Sequence, residues 1–145
     1  MSYVKIWVHL VFSTKNRHPY LTKNIRYKLQ NHIIENCKEK SIFLKAINGY
    51  TDHLHCLLSI GKEQSIAKIA QLIKGESAHW INKNKLTDEA FIWQDDYFAV
   101  SVSESGLEIV SNYIRNQENH HRKKSFEEEV KEFADKYKFD LRKDQ

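Results

Sequence analysis

The chain has 145 residues, with 23 Lys and Arg against 19 Asp and Glu, and 41% of its residues are hydrophobic. That is one domain's length, residues 1–145, and three Trp, seven Tyr and seven Phe supply a core, which excludes a mainly disordered chain. Cys37 and Cys56 lack Cys-x-x-Cys spacing, and no apolar run reaches the roughly 18 residues of a membrane span, so an intracellular domain is expected. The formal charge of +4 suits a polyanionic partner. The basic residues fall in three groups: Lys15, Arg17 and His18; Lys62, Lys68, Lys74, His79, Lys83 and Lys85; and Arg115 with residues 120–124. Each group reads equally as a solvated face.

In chain order, residues 3–12 are rich in Val, Ile and aromatics and predict a strand. Residues 22–40 carry Ile25, Leu29, Ile33 and Ile34 at helical spacing, with Thr22 as N-cap. Residues 42–48 predict a second strand, Asn48-Gly49 a turn, and residues 53–60 a third strand that closes a hairpin. Ile66, Ile69, Ala70, Ile73 and Ala78 mark a second helix over residues 65–82. Short strand-like pieces at residues 91–93 and 97–102 precede a third helix over residues 107–119. Ser125 and Glu128 form a capping box for a fourth helix, whose apolar residues are Phe126, Val130, Phe133 and Tyr137. The order β-α-β-β-α-β predicts an α+β fold: a ferredoxin-like split βαβ antiparallel sheet with helices on one face, plus C-terminal helices.

Two short patterns carry chemistry. In Asp52-His53-Leu54-His55 the strand period places His53 and His55 on one face, their Cα atoms roughly 6.5–7 Å apart. Two imidazoles so placed can share a metal ion while Leu54 packs the other way. With eight His in the chain, one such pair also arises by chance. In Tyr113-Ile114-Arg115-Asn116-Gln117 the tyrosine and the glutamine are four residues apart, one turn of a helix face. A phenol can act as nucleophile, and a carboxamide oxygen can ligate a hard cation. Tyr113 equally extends the apolar stripe of Leu107, Val110 and Ile114. Tyr27, Tyr50, Tyr97 and Tyr137 are the competing tyrosines, and Trp93 and Phe98 could stack on unpaired bases or simply fill the core.

With these pieces in order, the chain resembles the HUH single-tyrosine transposases over nearly its whole length. The resemblance runs through His9-Leu10-Val11-Phe12-Ser13-Thr14-Lys15-Asn16-Arg17, His53-Leu54-His55 and Ile73-Lys74-Gly75-Glu76-Ser77-Ala78. It continues through Trp93-Gln94-Asp95-Asp96-Tyr97-Phe98 and ends at Tyr113 to Gln117. The resemblance implies that His53, His55 and Gln117 bind Mg²⁺ or Mn²⁺ and that Tyr113 is the nucleophile. It also implies a cytoplasmic bacterial or archaeal protein acting on single-stranded DNA with hairpin ends, through a 5′-phosphotyrosine intermediate. A homodimer is part of the same expectation, with Tyr113 serving either its own chain's site or the partner's. Lys15, Asn16, Arg17 and Lys74 are the candidate DNA contacts, and the His120-His121 stretch could touch DNA or solvate a link. The alternatives are a domesticated endonuclease acting on genomic repeats and a non-catalytic nucleic-acid-binding module of the same fold.

Overall fold

A computed structural model describes residues 1–121 and 124–137. Four strands, β1 (Ile6–Ser13), β2 (Phe43–Tyr50), β3 (His53–Ile60) and β4 (Phe98–Val102), form one sheet in the order β2-β3-β1-β4. All pairings are antiparallel, so β3 and β1 lie in the centre, as the split βαβ order requires. Helices α1 (Lys23–Glu39) and α2 (Ile66–Lys83) link the strands, and α3 (Leu107–Arg115), α4 (Gln117–His121) and α5 (Phe126–Tyr137) follow β4.

The strand period sorts the residues onto two faces. Val8, Leu10 and Phe12 of β1 and Leu54, Cys56 and Leu58 of β3 join Leu29, Ile33, Ile69 and Ile73 of α1 and α2 in the main apolar core. On the opposite face Trp7 and Leu57 pack with Leu107 and Ile114 of α3. His9, His53 and His55 occupy alternate positions on that same second face, and the C-terminal helices cover them.

Four local expectations change. Asn48 and Gly49 lie inside β2, and residues 51–52 make the turn instead. Gly49 serves close approach: a Cβ there would lie 2.1 Å from the His53 carbonyl oxygen. Thr22 occupies the N-cap position of α1 without a side-chain capping bond, whereas Ser65 does cap α2 through the Lys68 N–H. Of the segment 91–93, only Trp93 makes a bridge, to Thr14. The long third helix divides at Asn116, whose N–H still bonds the Asn112 carbonyl while its backbone leaves the helix. The Ser125 capping box is present, with the Glu128 N–H 3.2 Å from Ser125 Oγ. Arg122 and Lys123, and the Tyr137 side chain, lie outside the described residues.

Candidate metal centre and nucleophile

The site starts at the turn into β3. Thr14, fully buried, donates its backbone N–H to the Asp52 carbonyl at 2.8 Å and pins the turn against the end of β1. Asp52 Oδ1 in turn lies 2.8 Å from His53 Nδ1. Both His53 and His55 are fully buried, so their rings are held by packing and turned toward the C-terminal helices. Leu54 faces the other way into the main core, as the strand period predicts.

The C-terminal helices bring four more groups to this face. Glu129 of α5 is fully buried; its Oε1 lies 3.0 Å from His55 Nε2 and 3.4 Å from His53 Nε2. Tyr113 of α3 donates its hydroxyl to Glu129 Oε2, and Gln117 Nε2 approaches the same oxygen at 3.4 Å. Gln117 Oε1 lies 3.1 Å from His53 Nε2. His121, at the end of α4, donates Nδ1–H to the Lys124 carbonyl at 2.6 Å. His121 Nε2 turns to the cluster, buried without an aligned hydrogen bond and 3.4 Å from Glu129 Oε1. Tyr113 and Gln117 thus converge on one site even though the helix breaks between them.

His53, His55, His121 and Glu129 therefore offer one ligand atom each, all within 4.8 Å of one another and all buried. Three imidazole nitrogens and a carboxylate, one of the nitrogens without an aligned hydrogen bond, fit a divalent cation. The ionisation pattern agrees. Burial alone would raise Glu129, yet His121, His53 and His55 around it hold it well below the ordinary carboxylate range. Burial would lower His53, but Asp52 and Glu129 outweigh it and hold the imidazole above its usual value. His55 is pushed down to about 4 and His9 to about 3, in each case chiefly by burial. Burial, then the Glu129 charge, holds the Tyr113 phenol well above its ordinary value.

A polar network behind the site holds α3 and α4 in place. Buried Arg26 of α1 donates to the Leu21 carbonyl at 2.9 Å and to Glu118 Oε1 at 2.7 Å, and Tyr27 donates its hydroxyl to the same carboxylate oxygen at 3.0 Å. Asn48 Nδ2 bonds the Arg115 carbonyl at the break, and Gln30 supports Asn48.

The other candidates are scattered. Lys15, Asn16 and Arg17 form a short 3-10 turn after β1, with Asn16 and Arg17 in the left-handed region and Arg17 paired to Glu127 at 3.2 Å. Lys74 donates to the carbonyls of Gln94 and Asp95 at 2.6 and 2.8 Å, so it holds that loop. Trp93 is a core residue bonded to Ser77 Oγ. Tyr50 stacks on His121, with ring centroids 5.3 Å apart. Sequence reasoning missed His121 and Glu129 as site residues. One signal existed: at positions 126, 129, 130 and 133 Glu129 falls within an apolar stripe.

A split βαβ sheet with a His-hydrophobic-His pair on its central strand and a tyrosine facing it defines the class of HUH single-tyrosine transposases. The chain belongs to the IS200-like transposases, whose family model matches residues 2–117. It is 25% identical over 114 residues to the ISDra2 transposase TnpA of Deinococcus radiodurans, covering 75% of this chain and 81% of that one. A transposase crystal structure from Deinococcus radiodurans R1 superimposes with a TM-score of 0.65 at 25% identity, covering 81% of this chain and 95% of that one. The REP-associated tyrosine transposase bound to a REP hairpin shares the fold, with a TM-score of 0.63 at 16% identity over 83% of this chain and 72% of that one. The fold and the family expected from the sequence are borne out.

Proposed function

We propose that this transposase cuts and rejoins single-stranded DNA at hairpin-bearing ends through a covalent 5′-phosphotyrosine, with Tyr113 as nucleophile. The observation that carries the reading is that the Tyr113 hydroxyl and the buried His53–His55 pair meet on one carboxylate, Glu129. A phenol hydrogen-bonded to a carboxylate that can take its proton, beside a cluster of metal-ligating groups, suits phosphoryl transfer.

His53, His55, His121 and Glu129 would hold the cation, with Gln117 beside them as the further ligand that the resemblance implies. Mn²⁺ accepts imidazole nitrogen more readily than Mg²⁺, so this donor set favours Mn²⁺ of the two. When bound, the cation supplies positive charge that offsets Glu129 and the scissile phosphate. Tyr113 Oη gives up its proton to Glu129 Oε2 as it attacks the phosphorus, the P–O3′ bond breaks, and the 3′ oxygen takes up one proton and leaves as a hydroxyl. The new diester to Tyr113 retains the bond energy, so a second 3′-OH reverses the step and rejoins the strand without a nucleotide cofactor.

Asn16 and Arg17 of the turn after β1 line a groove of about 590 Å³ with Gln94, Asp96, Phe98 and Phe126. Phe126 stacks on His53 with centroids 4.3 Å apart, so a strand lying in the groove would lead to the site. Lys15, Asn16 and Arg17 are our phosphate contacts, and Lys74 keeps one donor for the same purpose beyond the two its carbonyls use. Docking of α3 on Leu57 and Trp7 of its own sheet supports Tyr113 acting within one chain. A homodimer would join through the outer strands of the sheet, β2 or β4.

The test uses single-stranded DNA from the flanks of the protein's own gene, labelled at each end in separate reactions. Wild type with Mn²⁺ should give a denaturation-resistant protein band that carries only the 3′-end label. EDTA and Tyr113→Phe should abolish it. Uncleaved binding that is indifferent to metal and to His53→Ala would instead establish the non-catalytic binding module.

A further inference from the structure

The three imidazoles of the cluster are arranged alike: each presents Nε2 to the centre and Nδ1 to a partner behind it. His53 Nδ1 meets the Asp52 carboxylate at 2.8 Å, and His121 Nδ1 meets the Lys124 carbonyl at 2.6 Å. Both partners only accept, so they hold the proton on Nδ1 and leave Nε2 to bind. His55 differs. Its Nδ1 meets the Nε2 of another histidine, His9 of β1, at 2.8 Å.

His9 is 4% exposed and its ring lies edge-on to Tyr113 and Phe133, with centroids 6.2 and 5.7 Å away. It sits on the site face, two residues from Val11, the register partner of His55. A buried imidazole on a sheet face needs a reason, because an apolar residue would pack there without a desolvation cost. Its neutral ring is a donor at one nitrogen and an acceptor at the other, and its Nε2 can take either role.

We propose that His9 is a positioning residue for metal binding, the partner that lets His55 bind a cation through Nε2. The inference rests on the metal-site reading above. Without a cation, His55 Nε2 faces the Glu129 carboxylate at 3.0 Å and must donate, so its Nδ1 accepts from His9 Nε2–H. With a cation on Nε2, the His55 proton belongs on Nδ1, and His9 Nε2 accepts it while the His9 proton sits on Nδ1. Each ring carries one proton in both arrangements. A carboxylate at position 9 could serve only the second, and an apolar residue neither. An orienting partner of this kind sets ligand affinity through the other ring nitrogen.

The experiment measures Mn²⁺ affinity of the full chain by electron paramagnetic resonance, without DNA, for wild type, His9→Met and His9→Gln. Both replacements have similar length and volume, but only the carboxamide can both donate to and accept from His55 Nδ1. His9→Met should bind Mn²⁺ about 10–100-fold more weakly, while His9→Gln stays within about threefold of wild type. Melting of the metal-free proteins separates loss of the fold from loss of the bond, and His9→Leu repeats the comparison should His9→Met not fold. Equal affinity in wild type and His9→Met would overturn the proposal, as would equal weakening in His9→Met and His9→Gln, which means packing alone. A wild type that binds no Mn²⁺ would instead overturn the metal-site reading itself.

Discussion

The two faces of this sheet are cut from the same strands and differ in every other residue. Toward α1 and α2, β1 and β3 present Val8, Leu10, Phe12, Leu54, Cys56 and Leu58, a dry apolar surface. Toward α3 to α5 the intervening residues include His9, His53 and His55, buried as deeply but polar. Burial on the first face stabilises, at roughly 1.5–3 kcal/mol for a fully buried Leu or Ile. On the second it carries a desolvation cost, which partners from three C-terminal helices offset. The first face is apolar throughout, whereas the second joins the apolar cluster of Trp7 and Leu57 to a histidine end whose burial needs polar partners.

Substitutions on the two faces should have opposite signatures. Tyr113→Phe should reduce covalent adduct formation by roughly 10⁴-fold or more, because it removes the attacking atom, while the protein stays folded by circular dichroism. Leu54→Ala, one residue from both histidines but facing the other way, should lower unfolding free energy by about 2–5 kcal/mol in urea titrations. The adduct should still form wherever that variant is folded, and its loss in folded Leu54→Ala would break the separation of the faces.

Metal should act on one face only. Mn²⁺ at about 100 times its Kd should stabilise wild type by about 2.7 kcal/mol, seen as a rise in Tm, and should leave His53→Ala unmoved. Behind the site, Arg26→Met should cost roughly 2–3 kcal/mol through the lost charged bonds to Glu118 and the Leu21 carbonyl. The smallest effect belongs to the turn after β1. Lys15→Ala and Arg17→Ala should each weaken DNA binding uniformly across sequences and lower the salt slope of log Kd by about one.

The sheet was readable because its signals are local. Strand period two put His53 and His55 on one face and Leu54 on the other, and the βαββαβ order gave the strand neighbours. Asn48-Gly49 misled because a glycine required for close approach to the His53 carbonyl looks, in sequence, like one required for a turn. Tyr113 and Gln117 were paired by helical spacing, and they do converge, although the chain leaves the helix at Asn116. His121 and Glu129 escaped because their role is wholly tertiary. His121 sits in a basic run that reads as a solvated face and Glu129 ends a run of three glutamates, and neither meets the histidine pair until α4 and α5 fold onto the sheet. His9 lay within a quoted motif, yet nothing local says that its neighbour in space is His55.

The central claim is that the buried polar face holds one divalent cation on imidazole nitrogen. It is tested most directly by titrating the metal-free protein with Mn²⁺ and recording pulsed electron paramagnetic resonance at one equivalent. The account predicts a single Mn²⁺ coupled to histidine nitrogens, with those couplings lost in the His53→Ala/His55→Ala variant. A Mn²⁺ spectrum without nitrogen coupling, or unchanged in that double variant, would contradict it.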